Sequence, residues 1–567
     1  MISDELKSHI EQLFHKKKYE ELIKVTDKFI KYNERPPGLA SLIGTCKIQK
    51  KNRTKEDILS AIGYFEEAYL KGKNTIHGIS GISNLIIVSL LNVYTHKEYL
   101  PFILKAEKYY LESENYYEKS PEFLRAGKEL FTYQLNEEKI KDISNKILET
   151  EQSSIVTRSS CLFINNYFYN WSQKEHYDQA KKNSKYFSVL NVKALNKINY
   201  KESPKIHIGF VSQDLRDNHS ITFFIKNTIK YIDKNRFRIF LFSFAKQNKN
   251  DQSQNELREL ADEFVDIESL NNQEVVNLIQ EKKIYILFDI MGFTLTNRVE
   301  IFNSRISPVQ ISWLAYCNTL GFETIDYLIA DKNVILPDEE KYYSEKIIKL
   351  PDIWNSHSGF DFETKYIEAP SIKNKHFTFG SFNNFLKISE PVIKAWSKIL
   401  QQVPNSKLIL KSSSRKRNIE RIIFKFKKYG VENKVKVFNR LDFPNYKEHL
   451  DLYRSIDLAL DTFPYNGVTT TFEALWMNVP VLVLKGFNFN SRCGESIIQN
   501  SKIDYLISSD IDDYIKKAVF LAQDKDKLKS IKKELSEKIS FSPLFNNKKF
   551  VKNFEQSMLD IIDRDKL

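Results

Sequence analysis

The stretch DTFPYNGVTTTFEALWMNVPVLVL, residues 461–484, ends one apolar run in an aspartate and a proline turn. It then sets a glycine and three threonines ahead of a short helical pattern and a second apolar run. In a chain with only 16 glycines among 567 residues, Gly467 before Thr469, Thr470 and Thr471 marks a tight turn that opens a helix. A threonine hydroxyl there can cap the helix or bond a phosphate oxygen, and the free N–H groups of the first turn add a positive dipole end. Two readings fit the spacing. Thr470 and Glu473 form the S/T-x-x-E of a capping box; alternatively, the threonines cradle a phosphate and Glu473, a turn later, accepts from a ribose hydroxyl.

Two further stretches bear on the choice. GSFNNFLKIS, residues 380–389, follows another apolar run and puts Asn383, Asn384 and Lys387 at one edge, where a lysine supplies a point charge for a diphosphate. SQDLRDNHSITFF, residues 212–224, places His219 between a strand pattern and a helix pattern. A histidine there is a cap or surface residue; facing a diphosphate across a crevice, it is a candidate for substrate positioning or proton transfer. Neither G-x-G-x-x-G after a strand nor G-x-x-x-x-G-K-[ST] occurs, which removes dinucleotide and P-loop readings. The DID at 510–512 precedes a helix and reads as a cap, so no metal is expected.

These residues need a scaffold that holds strand ends together. Residues 1–200 read as successive amphipathic helices, as in KYEELIKVTDKFIKY and DILSAIGYFEEAYLKG, with Ala61 and Ala68 spaced as in tetratricopeptide-like helical hairpins. From residue 203 short apolar runs alternate with helical stretches, the signature of a parallel sheet covered by helices. The pattern breaks over 351–375, which reads as a linker, and restarts over 376–545 before an amphipathic last helix at 546–567. The expectation is a helical domain followed by two α/β domains (203–350 and 376–545) with ligand sites at the carboxyl ends of their strands.

Bulk properties exclude several classes. Hydrophobic content of 42% excludes wholesale disorder. The net charge of +13 is spread along the chain in no dense basic block, so nucleic acid is not an expected partner. Cys46, Cys161, Cys317 and Cys493 lie far apart with no CxxC pair, which argues against a zinc site or disulfide framework and fits a reducing compartment. The N-terminus has no signal-peptide pattern and HGISGISNLIIVSLLNVY (77–94) is too polar to span a bilayer, so a cytoplasmic protein without an integral membrane segment is expected.

The blocks GFVSQDLRDNHSITFF, DIMGFTLTNRVEIFNSRISPVQISWLAYCNTLGFETIDYLIAD, FTFGSFNNFLKISEPVIKAWSKILQQVPNS and LDTFPYNGVTTTFEALWMNVPVLVL resemble the catalytic blocks of the O-linked N-acetylglucosamine transferase / SPINDLY family, glycosyltransferase family 41, over roughly residues 155–540. The resemblance implies a GT-B fold, two Rossmann-like domains preceded by a tetratricopeptide-like helical domain. It further implies an inverting, metal-independent transfer from a nucleotide sugar. It assigns Lys387 to the donor diphosphate and Thr469 and Thr470 to the phosphates. Glu473 stands where the family often has an aspartate on the ribose, and His449 where a histidine packs on the base. Asn384 takes the place of a glutamine by the diphosphate, and His219 that of the active-site histidine, as base or as positioning group. The implied reaction moves N-acetylglucosamine from UDP-N-acetylglucosamine to Ser/Thr of a protein acceptor, such as a surface or flagellar protein. The blocks lie closer to the SPINDLY branch, which keeps a GDP-fucose donor open. Asparagine glucosylation, a small-molecule or glycan acceptor and a non-catalytic nucleotide-binding scaffold stay open as well.

Overall fold

The computed structural model describes residues 3–29, 35–93, 99–168, 171–187, 190, 192, 194–195, 205–217, 219–412, 416–439, 442–443 and 445–565. The chain divides into two compact units, the first formed chiefly by the chain up to Thr157 and the second chiefly by the chain from Arg158 onward. The boundary expected near residue 200 lies outside the described residues.

The first unit is all helix: α1 (Asp4–His15), α2 (Tyr19–Phe29), α3 (Pro37–Gln49), α4 (Lys55–Lys71), α5 (Ile76–Val93), α6 (Leu100–Tyr117), α7 (Pro121–Gln134) and α8 (Glu137–Glu149). Polar caps start most of them. Thr54 accepts from the Asp57 N–H while Asp57 reaches back to the Thr54 N–H, a capping box that fixes the start of α4. Small residues set the packing: Ala61 and Ala68 are fully buried, and a side chain at Gly81 would come within 2.6 Å of the Tyr69 backbone nitrogen. Thus α4 and α5 approach as closely as stacked helical hairpins require, and the unit is a tetratricopeptide-like helical domain.

Helix α9 (Ile155–Ile164), which begins at the division and lies chiefly in the second unit, and α10 (Gln173–Ser184) precede a seven-stranded sheet. Its strands are β1 (Ile206–Ser212), β2 (Phe237–Ser243), β3 (Glu263–Asp266), β4 (Ile286–Asp289), β5 (Val309–Ser312), β6 (Tyr327–Asp331) and β7 (Lys346–Leu350). They run parallel in the order β3-β2-β1-β4-β5-β6-β7. The second sheet holds β8 (Phe377–Ser381), β9 (Ser406–Ser412), β10 (Val435–Asn439), β11 (Leu458–Leu460), β12 (Val481–Leu484) and β13 (Ile507–Ser508), also parallel, in the order β10-β9-β8-β11-β12-β13. Helices cover both faces of such sheets, which is why the central strands read as unbroken apolar runs: β4, β5 and β12 are buried at every position. Two Rossmann-like sheets in one chain make the GT-B fold.

In each sheet the strand order reverses once, between β1 and β4 and between β8 and β11. A crevice opens at the carboxyl ends there, because the flanking connections depart to opposite faces. The stretches singled out by sequence leave these strands. The segment 212–224 follows β1 into α11 (Ser220–Tyr231), 382–389 follows β8 into α14 (Glu390–Gln402), and 461–468 follows β11 into α17 (Thr469–Trp476). The last helix, α21 (Asn547–Asp565), returns to the first sheet, where Phe554 packs on Trp313 at 5.0 Å and on Phe288 at 5.5 Å.

Candidate active site

The loop from β11 to α17 is built around Asp461. Its Oδ1 accepts from the N–H groups of Gly467 at 2.7 Å and Thr462 at 2.8 Å, and from the Asn383 amide at 3.3 Å. The chain turns through a cis Phe463–Pro464 bond and folds back onto its own aspartate. A side chain at Gly467 would lie 2.6 Å from Thr470 Oγ1 and 3.0 Å from both Asn383 Oδ1 and Asp461 Oδ1. The glycine is there because three polar atoms close over it. Burial pushes the Asp461 carboxyl up to about 7, restrained by the Gly467 N–H and by Lys387.

Of the two readings of the spacing, the capping box between Thr470 and Glu473 does not form. Val468 occupies the N-cap of α17 and makes no side-chain cap. Thr470 instead donates to Asn383 Oδ1 at 3.2 Å, which ties the helix start to the loop after β8, and Thr471 donates to the Gly467 carbonyl at 3.1 Å. Helix α17 is placed by the loop clamp rather than by a cap, so its first turn faces the crevice.

Lys387 ends a short 3-10 turn, Phe385–Lys387, started by the Asn384 side chain accepting from the Leu386 N–H. Its ammonium donates to the Asn466 carbonyl at 2.7 Å and sits 4.2 Å from the centre of the Tyr465 ring. Of three ammonium N–H groups, one is used by this bond among the described residues. Burial lowers the Lys387 pKa to about 8, with Asp461 pulling it back up.

These groups meet in a cleft of about 260 Å³ between the two sheets. One wall carries Asn384, Lys387, Thr469 and Thr470; the facing wall carries Ser220, Phe224 and Cys317 of the first domain with Trp354 and Asn355 of the linker. Phe224 of α11 packs on Phe472 of α17 at 5.2 Å, so the two helix starts converge on the same space.

His219 stands beside the cleft as the N-cap of α11. Its Nδ1 accepts from the Ile221 N–H at 3.4 Å and its Nε2 lies 3.2 Å from Asp214. Both ring nitrogens are therefore engaged within the protein. Burial pushes the Asp214 carboxyl up to about 6, with Arg216 drawing it down.

His449 and Glu473 lie in a buried cluster joined to the cleft through Tyr453, whose hydroxyl is within hydrogen-bond distance of both the Thr470 carbonyl (3.1 Å) and Glu473 (2.9 Å). Glu473 also accepts from Tyr446 at 2.8 Å and lies 3.2 Å from His449 Nε2; His449 Nδ1 pairs with Lys411. Burial alone would raise the Glu473 pKa, but His449, Tyr446 and Lys411 outweigh it and bring it to about 2. Both carboxylate oxygens are thus occupied in this structure, and Glu473 organises the cluster instead of lining the cleft. Sequence reasoning left Asp461, Tyr465 and the Trp354–Asn355 pair unassigned. An aspartate closing a strand just before a glycine turn was the one visible signal. Among the described residues no group of three or more His, Cys, Asp or Glu is placed to hold a metal ion, and no helix is long and apolar enough to cross a membrane.

Residues 180–357 and 368–554 match the model of glycosyl transferase family 41, well over half of the chain. The chain belongs to glycosyl transferase family 41. It is 31% identical over 356 residues, 61% of this chain and 38% of the relative, to a "Probable UDP-N-acetylglucosamine--peptide N-acetylglucosaminyltransferase SPINDLY" of Solanum lycopersicum. It is 28% identical over 369 residues, 62% of this chain and 36% of the relative, to the similarly described SEC of Arabidopsis thaliana. The family 41 chain thus spans less than two fifths of the length of these curated relatives. A solved O-GlcNAc transferase variant from Thermobaculum terrenum superposes with a TM-score of 0.74 at 22% identity, covering 88% of this chain and 93% of that one. That likeness shows a shared fold over most of the chain.

Proposed function

We propose that the protein is an inverting, metal-independent protein O-glycosyltransferase that moves N-acetylglucosamine from UDP-N-acetylglucosamine to Ser/Thr of a protein acceptor. The observation that carries this reading is the asymmetric cleft, with Lys387 and the first turn of α17 on one wall and uncharged groups on the other. The diphosphate binds the cationic wall, with two Lys387 N–H groups and the hydroxyls of Thr469 and Thr470 on its oxygens and Asn384 at its edge. As the acceptor Ser/Thr oxygen bonds the anomeric carbon from the side opposite the diphosphate and releases its proton to water, the bond from that carbon to the diphosphate oxygen breaks and negative charge grows on the departing oxygen. Lys387 and the α17 dipole stabilise it without reorganising, which is the role a metal plays in other nucleotide-sugar enzymes. His449 and Lys411 border the region for the base. His219, with both nitrogens held, fixes the start of α11 and so positions the acceptor side of the cleft.

The relatives' printed names support the UDP-N-acetylglucosamine donor and the peptide acceptor. The stacked helices of the first unit suit a protein acceptor, such as a surface or flagellar protein, because such arrays offer concave peptide-binding surfaces. The four cysteines are buried thiols, which fits action in the reducing cytoplasm.

The test is calorimetric titration with UDP, GDP, UDP-N-acetylglucosamine and GDP-fucose in the presence of chelator, followed by mass spectrometry of acceptor proteins. Uridine-selective binding with an added N-acetylhexosamine on Ser or Thr is the expected result. Guanosine-selective binding would move the enzyme to fucose transfer, and sugar on asparagine would change the acceptor atom. Binding that needs divalent metal would overturn the metal-independent mechanism, and binding of no nucleotide would leave a scaffold.

A further inference from the structure

Trp354 and Asn355 of the linker border the cleft, and the backbone around them is held by hydrogen bonds. The Trp354 N–H donates to Asp331 at 3.1 Å, and the Trp354 carbonyl accepts from the Trp313 indole at 2.9 Å. Ser356 Oγ and the His357 N–H both donate to the Leu544 carbonyl, at 3.0 and 2.9 Å, while the His357 carbonyl accepts from Asn547 at 3.0 Å. This backbone is pinned from the first sheet on one side and from the last helix on the other.

Between these fixed points sits Asn355, fully buried, bordering the cleft, with neither amide atom hydrogen-bonded among the described residues. The Trp354 indole N–H, on the same wall, is likewise without a partner among them. A buried amide left unpaired in both senses costs stability unless something supplies both a donor and an acceptor. Phosphate offers acceptors only and would leave the Asn355 oxygen unmet. A sugar hydroxyl or an acetamido group offers both. No charge stands in this pair, so it has no preference for an ionic ligand.

We propose that Asn355, with the Trp354 indole beside it, recognises the sugar ring of the donor, accepting from one sugar hydroxyl or acetamido N–H and donating to a neighbouring oxygen. The assignment rests on the glycosyltransferase reading above and adds the residue that distinguishes a nucleotide sugar from its bare nucleotide.

The experiment compares UDP with UDP-N-acetylglucosamine, and GDP with GDP-fucose, on wild-type protein, Asn355→Ala and the equally branched Asn355→Leu, with thermal unfolding recorded for each. Both variants should bind the bare diphosphate within about twofold of wild type and the nucleotide sugar about tenfold or more weakly. Equal loss for nucleotide and nucleotide sugar overturns the assignment and makes Asn355 a support of the cleft. No change in either overturns it too, leaving an amide satisfied by ordered water. If wild-type protein binds none of the four ligands, the glycosyltransferase reading fails first and takes this inference with it.

Discussion

Lys387 shows what burial does to a binding residue. Desolvation lowers its pKa to about 8, so near neutral pH it is charged but close to titrating. A diphosphate beside it favours the ammonium, so binding takes up a proton whenever the free lysine has lost one. Nucleoside diphosphate affinity should therefore fall as pH rises through 8, beyond any step near 7 from ionisation of the Asp461 carboxyl. Calorimetry from pH 6.5 to 9.5 in buffers of different ionisation enthalpy checks this, because proton uptake appears in the heat. In Lys387→Ala both the affinity and the pH dependence should be lost while the unfolding temperature holds. A variant that keeps the pH profile would assign it to another group. Lys387 was legible in the sequence because a lysine after a strand and two asparagines has few structural uses. Its depressed pKa was not, since that depends on Tyr465 and Asn466 folding over it from 79 residues away.

At the scale of elements, the strands and the glycine turn were legible in the sequence, but what holds them was not. Apolar runs and period-3.6 patterns are local, so the alternation after residue 203 marked most of the strands, whereas β3, β7 and β13 carry no such buried run. The capping-box reading is also local, and the box does not form because Asn383 takes the Thr470 hydroxyl while Tyr446, Tyr453 and His449 take the Glu473 carboxylate from outside the helix. The loop clamp predicts the cost of filling Gly467. Gly467→Ala should destabilise the protein by roughly 1–3 kcal/mol, as overpacking does, and weaken nucleotide binding because Thr470 must yield. Thermal unfolding with and without UDP and GDP measures both effects, and an unchanged melting temperature would show that the loop relaxes freely. Glu473 gives a second test at this scale. With a folded pKa of about 2 against an ordinary 4.5, its ionised form is favoured by the fold. That contribution, about 3 kcal/mol, is fully present above pH 4.5 and is lost as pH falls toward 2. Glu473→Gln should cost about that much at pH 7, with the gap to wild type narrowing in denaturant unfolding below pH 4.5. A constant gap across pH would mean that shape, not charge, is what the cluster requires.

For the second unit as a whole, the question is what fixes the two sheets on either side of the cleft. Arg492 pairs with Glu339, and Ser496 donates to Asp331 at 2.6 Å, so the helix Phe489–Ser501 that follows β12 grips the end of β6. The segment before β1 adds a second tie. Asn166 accepts from Asn318 of the first domain at 2.8 Å through its side chain and from Asn490 of the second at 3.2 Å through its carbonyl. Next to it, Tyr167 stacks on Tyr465 at 4.9 Å, and Tyr465 lies under the Lys387 ammonium. Sequence alone could not show this, because the stack joins residues far apart in the chain that share no local pattern. The stack lets a residue outside both sheets set the position of the diphosphate lysine. Tyr167→Ala should lower stability by about 3 kcal/mol, the cost of an aromatic cavity. It should also weaken diphosphate binding by about tenfold, as Tyr465 shifts and the cation–π contact is lost. Tyr167→Phe keeps the ring and should restore binding. Unfolding midpoints alongside calorimetric affinities separate the effects: lost stability with undiminished affinity would make Tyr167 only a packing residue, whereas a joint loss rescued by phenylalanine would show that the stack places Lys387.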